Sequence, residues 1–161
     1  LYETGADAER VRTVMASLWS GFAEIAAKQG GIVHSRADES GLVLWGRDRA
    51  REDDAENAIR AALLMRNRAL ADTRAVLGTK WEPTEESPLP FAAGITTGPV
   101  LLERETNSGT YTASGAPITL AGRLKEAAPA GGKRSACAAR LPSRSRMRTR
   151  IIKTSPHNPG Q

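Results

Sequence analysis

Apolar side chains recur every three or four residues along two long segments of the chain, 6–28 and 53–77. This spacing places them on one face of an α-helix. The face of the first segment carries Val11, Val14, Met15, Leu18, Phe22, Ile25 and Ala26, and that of the second carries Ala55, Ile59, Ala62, Leu63, Arg66 and Leu70. The pattern therefore predicts two long amphipathic helices, the first of which ends at Gly30-Gly31.

Short runs rich in β-branched and other apolar residues predict five strands, at residues 31–36, 41–45, 91–97, 100–104 and 110–114. The first two are expected to form a hairpin with an acidic turn, and the next two a second strand pair around Gly98-Pro99. A third helix is predicted over residues 118–127, because Pro117 suits a first helical turn. Antiparallel strands beside segregated helices indicate an α+β fold.

The net charge of +5 is distributed unevenly along the 161 residues. Residues 131–161 contain eight of the 23 Lys and Arg residues and none of the 18 Asp and Glu residues, so the rest of the chain is net negative. We therefore divide the chain into a domain over residues 1–132 and a basic tail over residues 133–161, which we expect to be disordered. An ending produced by a shifted reading frame would have the same composition.

The longest apolar run, residues 61–65, is far shorter than the roughly 18 residues that a membrane-spanning helix needs. No secretory signal is visible, and a single cysteine, Cys137, cannot form an internal disulfide. These features predict a cytoplasmic protein. The chain begins at Leu1 rather than at a methionine, so we expect a truncated domain.

Four sequence features occur in an order typical of one protein family: a helix ending in Gly30-Gly31, a hairpin with Asp38 at its tip, Gly-Ile-Thr-Thr-Gly at residues 94–98, and Tyr-Thr-Ala-Ser-Gly at 111–115 before Ala-Gly-Arg-Leu at 121–124. Over residues 7–132 the chain resembles the catalytic domain of class III nucleotidyl cyclases. The resemblance implies a ferredoxin-like antiparallel sheet with helices packed on one face. It also implies that the first strand of this sheet is missing.

Members of this family cyclise a nucleoside triphosphate, and the resemblance implies ATP as substrate, with cyclic AMP and pyrophosphate as products. Two ions, Mg²⁺ or Mn²⁺, are held by two carboxylates and activate the ribose 3′-hydroxyl. The family works as a head-to-tail dimer with sites shared between subunits. A homodimer, or pairing with another cyclase chain, is therefore the expected assembly.

The resemblance assigns roles to five positions of this sequence. Asp38 matches a metal-binding Asp, although the second metal carboxylate is absent, and Arg123 matches the Arg that stabilises the transition state. His34 and Thr112 stand at purine-reading positions, the first in place of a Lys. Thr119 stands where the family has a ribose-orienting Asn. With these substitutions we expect impaired or absent catalysis.

Two other functions are compatible with the sequence. The chain could be a non-enzymatic partner that dimerises with an intact cyclase and regulates it. Alternatively, the basic tail could bind the phosphates of nucleic acid or of anionic lipid. Nucleic acid is not the expected partner, because no aromatic residue follows Tyr111 to stack on bases.

Overall fold

The computed structural model describes residues 4–37, 40–84, 89, 91–104, 111–128 and 149–155. Three helices lie in this part of the chain: α1 (Thr4–Lys28), α2 (Asp54–Leu77) and α3 (Ala116–Glu126). None of the described helices is long and apolar enough to cross a membrane. The strands are β1 (Gly31–Ala37), β2 (Ser40–Trp45), β3 (Ala92–Gly98), β4 (Leu101–Arg104), β5 (Tyr111–Ser114) and β6 (Thr149–Ser155).

The strands form a four-stranded antiparallel sheet in the order β1-β2-β6-β3 and a two-stranded ribbon of β4 and β5. The α+β antiparallel fold is thus confirmed. One detail of the pairing prediction is wrong, since β3 and β4 do not form a hairpin with each other. Strand β3 pairs with β6 instead, and the chain beyond Pro99 leaves the sheet to pair with β5.

Strand β6 lies in the middle of the sheet, antiparallel to both of its neighbours. Ile152 is opposite Val43 of β2 on one side and opposite Ile95 of β3 on the other. The prediction of a disordered tail is therefore wrong for residues 149–155, and residues 129–148 and 156–161 lie outside the described part. A middle strand satisfies backbone donors and acceptors on two flanking strands at once, which explains why a short basic segment is ordered here.

Alternate side chains of β2 contribute to two separate apolar cores. Val43 and Trp45 face α1 and α2. They belong to one apolar core with Leu18, Trp19, Phe22 and Ala26 of α1 and with a row of small residues of α2, Ala58, Ala61, Ala62 and Ala69. Leu42 and Leu44 face the opposite side of the sheet, where they pack with the β4-β5 ribbon and α3. Because strand side chains alternate, one strand supports both layers.

The buried face of α2 differs from the predicted one. Met65 is fully buried, whereas Leu63, which the periodicity placed on the apolar face, is 47% exposed. Small alanines occupy the contact with α1 and the sheet, so the helix turns its larger leucines outward.

Helix α3 packs on the face of the sheet opposite α1 and α2. This corrects the expectation that all helices share one face. The reason lies in β3, where Ile95 points to the α1-α2 side and Gly94 points to α3. A side chain at position 94 would overlap the carbonyl oxygen of Ala121, so only glycine allows the helix backbone to lie this close.

We predict that truncation after Arg148, which removes β6, abolishes cooperative unfolding and causes aggregation, because β2 and β3 are left as unpaired edges. Truncation after Ser155 is the matched control, since it keeps the strand and should melt like the full chain. Circular dichroism melts and gel filtration measure both. Equal melting temperatures for the two truncations would contradict the central position of β6.

Candidate functional site

Helix α3 carries two of the predicted site residues. Thr119 and Arg123 are four residues apart, so they lie on one face of the helix, and both are exposed. The opposite face is buried through Pro117, Ala121 and Gly122. The hydroxyl and the guanidinium therefore project together into solvent, where they could meet the phosphates or ribose of a nucleotide.

The sheet fixes the position of this helix. Thr96 of β3 is buried, and its hydroxyl donates a hydrogen bond of 2.8 Å to the carbonyl oxygen of Pro117. The bond ties the first turn of α3 to the strand, next to the close contact at Gly94. Thr119 and Arg123 consequently have a set position relative to the sheet.

His34 lies at an irregularity of β1. The register with β2 shifts between Val33 and Ser35, so His34 has no partner directly opposite it. Partial burial lowers the pKa of its imidazole, and the nearby positive charge of Arg47 lowers it further. The side chain is therefore neutral near pH 7, and it can either donate or accept a hydrogen bond, whereas a lysine ammonium only donates.

Arg47 is a residue that the sequence reasoning did not single out. Its guanidinium donates a hydrogen bond of 2.9 Å to Asp48, and its Cζ atom lies 6.0 Å from the ring centroid of Tyr111. Tyr111 precedes Thr112 in β5, where Thr112 is exposed and pairs with Glu103 of β4. Nothing in the sequence pattern separates Arg47 from the arginines at positions 49 and 51.

The structure thus brings two of the predicted residues together, since Thr119 and Arg123 form one group on α3. On the other side of the site, Arg47 acts on His34 and lies over the ring of Tyr111, which precedes Thr112 in the sequence. In the described part of the chain, no hydrogen bond or ion pair joins the α3 pair to His34 or Arg47.

Asp38, the predicted metal ligand, lies outside the described residues. Within those residues, no group of three or more His, Cys, Asp or Glu side chains could hold a metal ion. Strand β6, which occupies the middle of the sheet, contains no carboxylate in its sequence. The role of Asp38 as a metal ligand therefore stays a prediction, and no chemical step is derived through a metal ion.

Comparison with known proteins gives a structural match without a sequence match. No protein-family model matches the chain, and no curated protein matches it. Its fold is similar to that of a solved structure described as the crystal structure of the guanylyl cyclase Cya2. The TM-score is 0.64 and the identity 20%, with 94% of this chain and 84% of that chain covered. The fold is therefore cyclase-like, in agreement with the expected α+β architecture.

We predict that folding stability depends on pH through His34. A histidine in the unfolded chain titrates near pH 6.5, and the folded protein holds this pKa lower. The unfolded state then binds more protons between the two values, so the stabilisation is complete above pH 6.5 and is lost as the pH falls towards the folded pKa. The free energy of unfolding, measured with urea, should therefore rise with pH across this range. The variant His34→Gln should reduce this pH dependence.

An Arg47 substitution separates the two causes of this pKa shift. NMR titration of the imidazole should show a partial rise of the His34 pKa in Arg47→Gln, because burial, the larger cause, remains. Arg60→Gln is the control, since Arg60 is paired with Glu56 on α2. An unchanged His34 pKa in Arg47→Gln would contradict the proposed link between the two residues.

Proposed function

We propose that the chain is a class III nucleotidyl cyclase homology domain, directed to ATP, whose turnover is strongly impaired or lost. The proposal rests on the agreement between the sequence motifs and the fold. The sequence has the ordered motifs of this class, and the fold resembles a solved guanylyl cyclase over 94% of the chain. Cyclic nucleotide signalling is the process to which such a domain would belong.

The reaction of this class needs few groups from the protein. The ribose 3′-oxygen attacks the α-phosphorus, the bond from that phosphorus to the oxygen bridging the β-phosphate breaks, and pyrophosphate leaves with its electron pair. The proton of the 3′-hydroxyl goes to a base or to water. Negative charge grows on the phosphoryl oxygens, and the exposed guanidinium of Arg123 is suited to stabilise it in the site of a partner subunit.

Three features of this chain support impairment. The Thr119 side chain has one short hydroxyl where a longer amide would orient the ribose. His34 is neutral where a lysine would read the purine, and Asp38 is the one carboxylate that the resemblance assigns to metal. Any turnover would depend on Mg²⁺ or Mn²⁺ as cofactor. The loss of one side chain that stabilises charge in the transition state typically lowers the rate by about 10²–10³-fold.

The proposal predicts a gain of activity when the substituted positions are restored. Purified protein with Mn²⁺ and ATP should form little or no cyclic AMP, at least about 100-fold less than an intact cyclase in the same assay. The variant His34→Lys/Thr119→Asn should bind ATP more tightly and form more product. Adding Arg123→Ala or Asp38→Ala to this variant should remove the gain. GTP in parallel reactions tests the choice of purine.

Substantial cyclic AMP formation that survives both Arg123→Ala and Asp38→Ala would overturn the assigned roles. Absence of nucleotide binding in the restored variant would overturn the family assignment itself. ATP binding is measured by isothermal titration calorimetry, so that a folded but inactive protein still gives a decisive result.

A second candidate function, that of a non-catalytic dimerisation partner of a cyclase, is supported by the exposed apolar surface near α3. Leu101 of β4 and Leu120 of α3 are 58% and 44% exposed, although the elements that carry them pack on the Leu42 and Leu44 side of the sheet. Exposed apolar residues grouped on one side of a domain are typical of a protein interface. Thr119 and Arg123 would lie at the edge of this interface.

We predict that Leu120→Asp weakens self-association, or association with an intact cyclase chain, by about 10-fold or more, since it places a charge in a desolvated contact. Leu63→Asp is the matched control, because Leu63 is 47% exposed on α2, on the other side of the sheet. Sedimentation equilibrium measures the dissociation constants. Equal effects of the two variants, or a wild-type chain that stays monomeric with and without a cyclase partner, would contradict this function.

A further inference from the structure

A small cavity of about 170 Å³ lies at the end of β2, where the chain turns into α2. Its walls include the turn between α1 and β1, at Gln29 and Gly30, and the loop between β2 and α2. On this measure a single water molecule needs only about 10–15 Å³, so the cavity has room for a tetrahedral anion.

Three arginines line this cavity, namely Arg47, Arg49 and Arg51. Arg47 is engaged with Asp48 at 2.9 Å. Within the described residues, no ion pair involves the guanidinium of Arg49 or of Arg51. Two strong donors with fixed charge therefore border the cavity outside any ion pair of the described residues.

The two acidic residues of the cavity wall already have partners. Asp48 accepts hydrogen bonds from Arg47 through both of its carboxylate oxygens. Asp54 is buried, and its carboxylate accepts a hydrogen bond of 2.8 Å from the backbone N–H of Arg51. This bond fixes the loop in the conformation that brings Arg51 to the cavity. With three arginines and two aspartates, the wall has a net charge of +1.

We propose that this cavity binds the phosphate group of a small phosphomonoester. A phosphate dianion offers several acceptor oxygens, and arginine is the side chain best matched to it, because its planar fork can donate two parallel hydrogen bonds. The cavity is partly open to solvent, so the remainder of the molecule can extend out of it. The site is distinct from Thr119 and Arg123, and it goes beyond the proposed cyclase function.

The test compares two variants that remove the same number of charges. Arg49→Gln/Arg51→Gln removes the unpaired arginines, and Arg60→Gln/Arg68→Gln removes two arginines of α2 that are paired with Glu56 and Asp72. Binding of inorganic phosphate and of ribose 5-phosphate is measured by calorimetry on the full chain. The wild type and the control should bind with similar affinity, and the first variant should bind at least about 10-fold more weakly.

The two ligands separate the sources of the phosphate. Tighter binding of ribose 5-phosphate than of inorganic phosphate supports a phosphomonoester, and equal binding overturns that part of the proposal. Equal weakening by both double variants would show non-specific attraction to a basic chain and would also overturn it. If binding to the wild type does not saturate up to about 10 mM ligand, the proposal is also overturned.

A second measurement does not depend on the stability of the variants. In the wild-type chain, phosphate should shift the backbone amide resonances of Gly46 and Asn57, which line the cavity, and leave those of Thr119 and Arg123 unchanged. Shifts confined to α3 would place the anion elsewhere and overturn the proposal. Because Arg49 and Arg51 have no role in the proposed cyclase chemistry, loss of phosphate binding and loss of nucleotide turnover can be told apart.

Discussion

The pairing of β6 with β2 on one side and β3 on the other holds the four-stranded sheet in one piece. The hairpin of β1 and β2 carries His34 and leads to Arg47, whereas β3 supports α3 and through it Arg123. Both halves of the candidate site therefore depend on a strand from the last 13 residues of the chain. A sheet without its middle strand would leave two rows of unpaired backbone groups, which is why this segment is ordered despite its basic composition.

The two faces of the sheet have different roles. The face covered by α1 and α2 contains the larger core, in which Trp45 is fully buried and its indole N–H donates a 2.9 Å hydrogen bond to the carbonyl oxygen of Gln29. The other face carries α3 and the β4-β5 ribbon over Leu42 and Leu44. Its outer surface displays Thr119 and Arg123. One face thus contains the larger apolar core, and the other presents groups available to ligands or partners.

Arg47 connects the two functions that we propose for the hairpin side. It lowers the pKa of His34, lies over the ring of Tyr111 beside Thr112, and forms part of the wall of the arginine-lined cavity. A base-recognising position and a phosphate-binding cavity would then share one guanidinium. The wall of this cavity is net positive, with three arginines against two aspartates, although the sequence up to residue 130 is net negative.

The sequence alone determined what depends on local pattern. The three helices and five of the strands lie within a few residues of the predicted ranges, because periodicity and turn residues act over short distances. The order of motifs also indicated the cyclase-like fold and placed Thr119 and Arg123 on one helical face.

Tertiary structure alone decided how these elements are arranged. Long-range pairing placed β6 between β2 and β3. The close contact at Gly94 placed α3 on the opposite face from α1 and α2. Packing between distant segments brought Arg47 to His34 and Tyr111. Such contacts join residues that are far apart in the chain, so a local sequence pattern does not predict them.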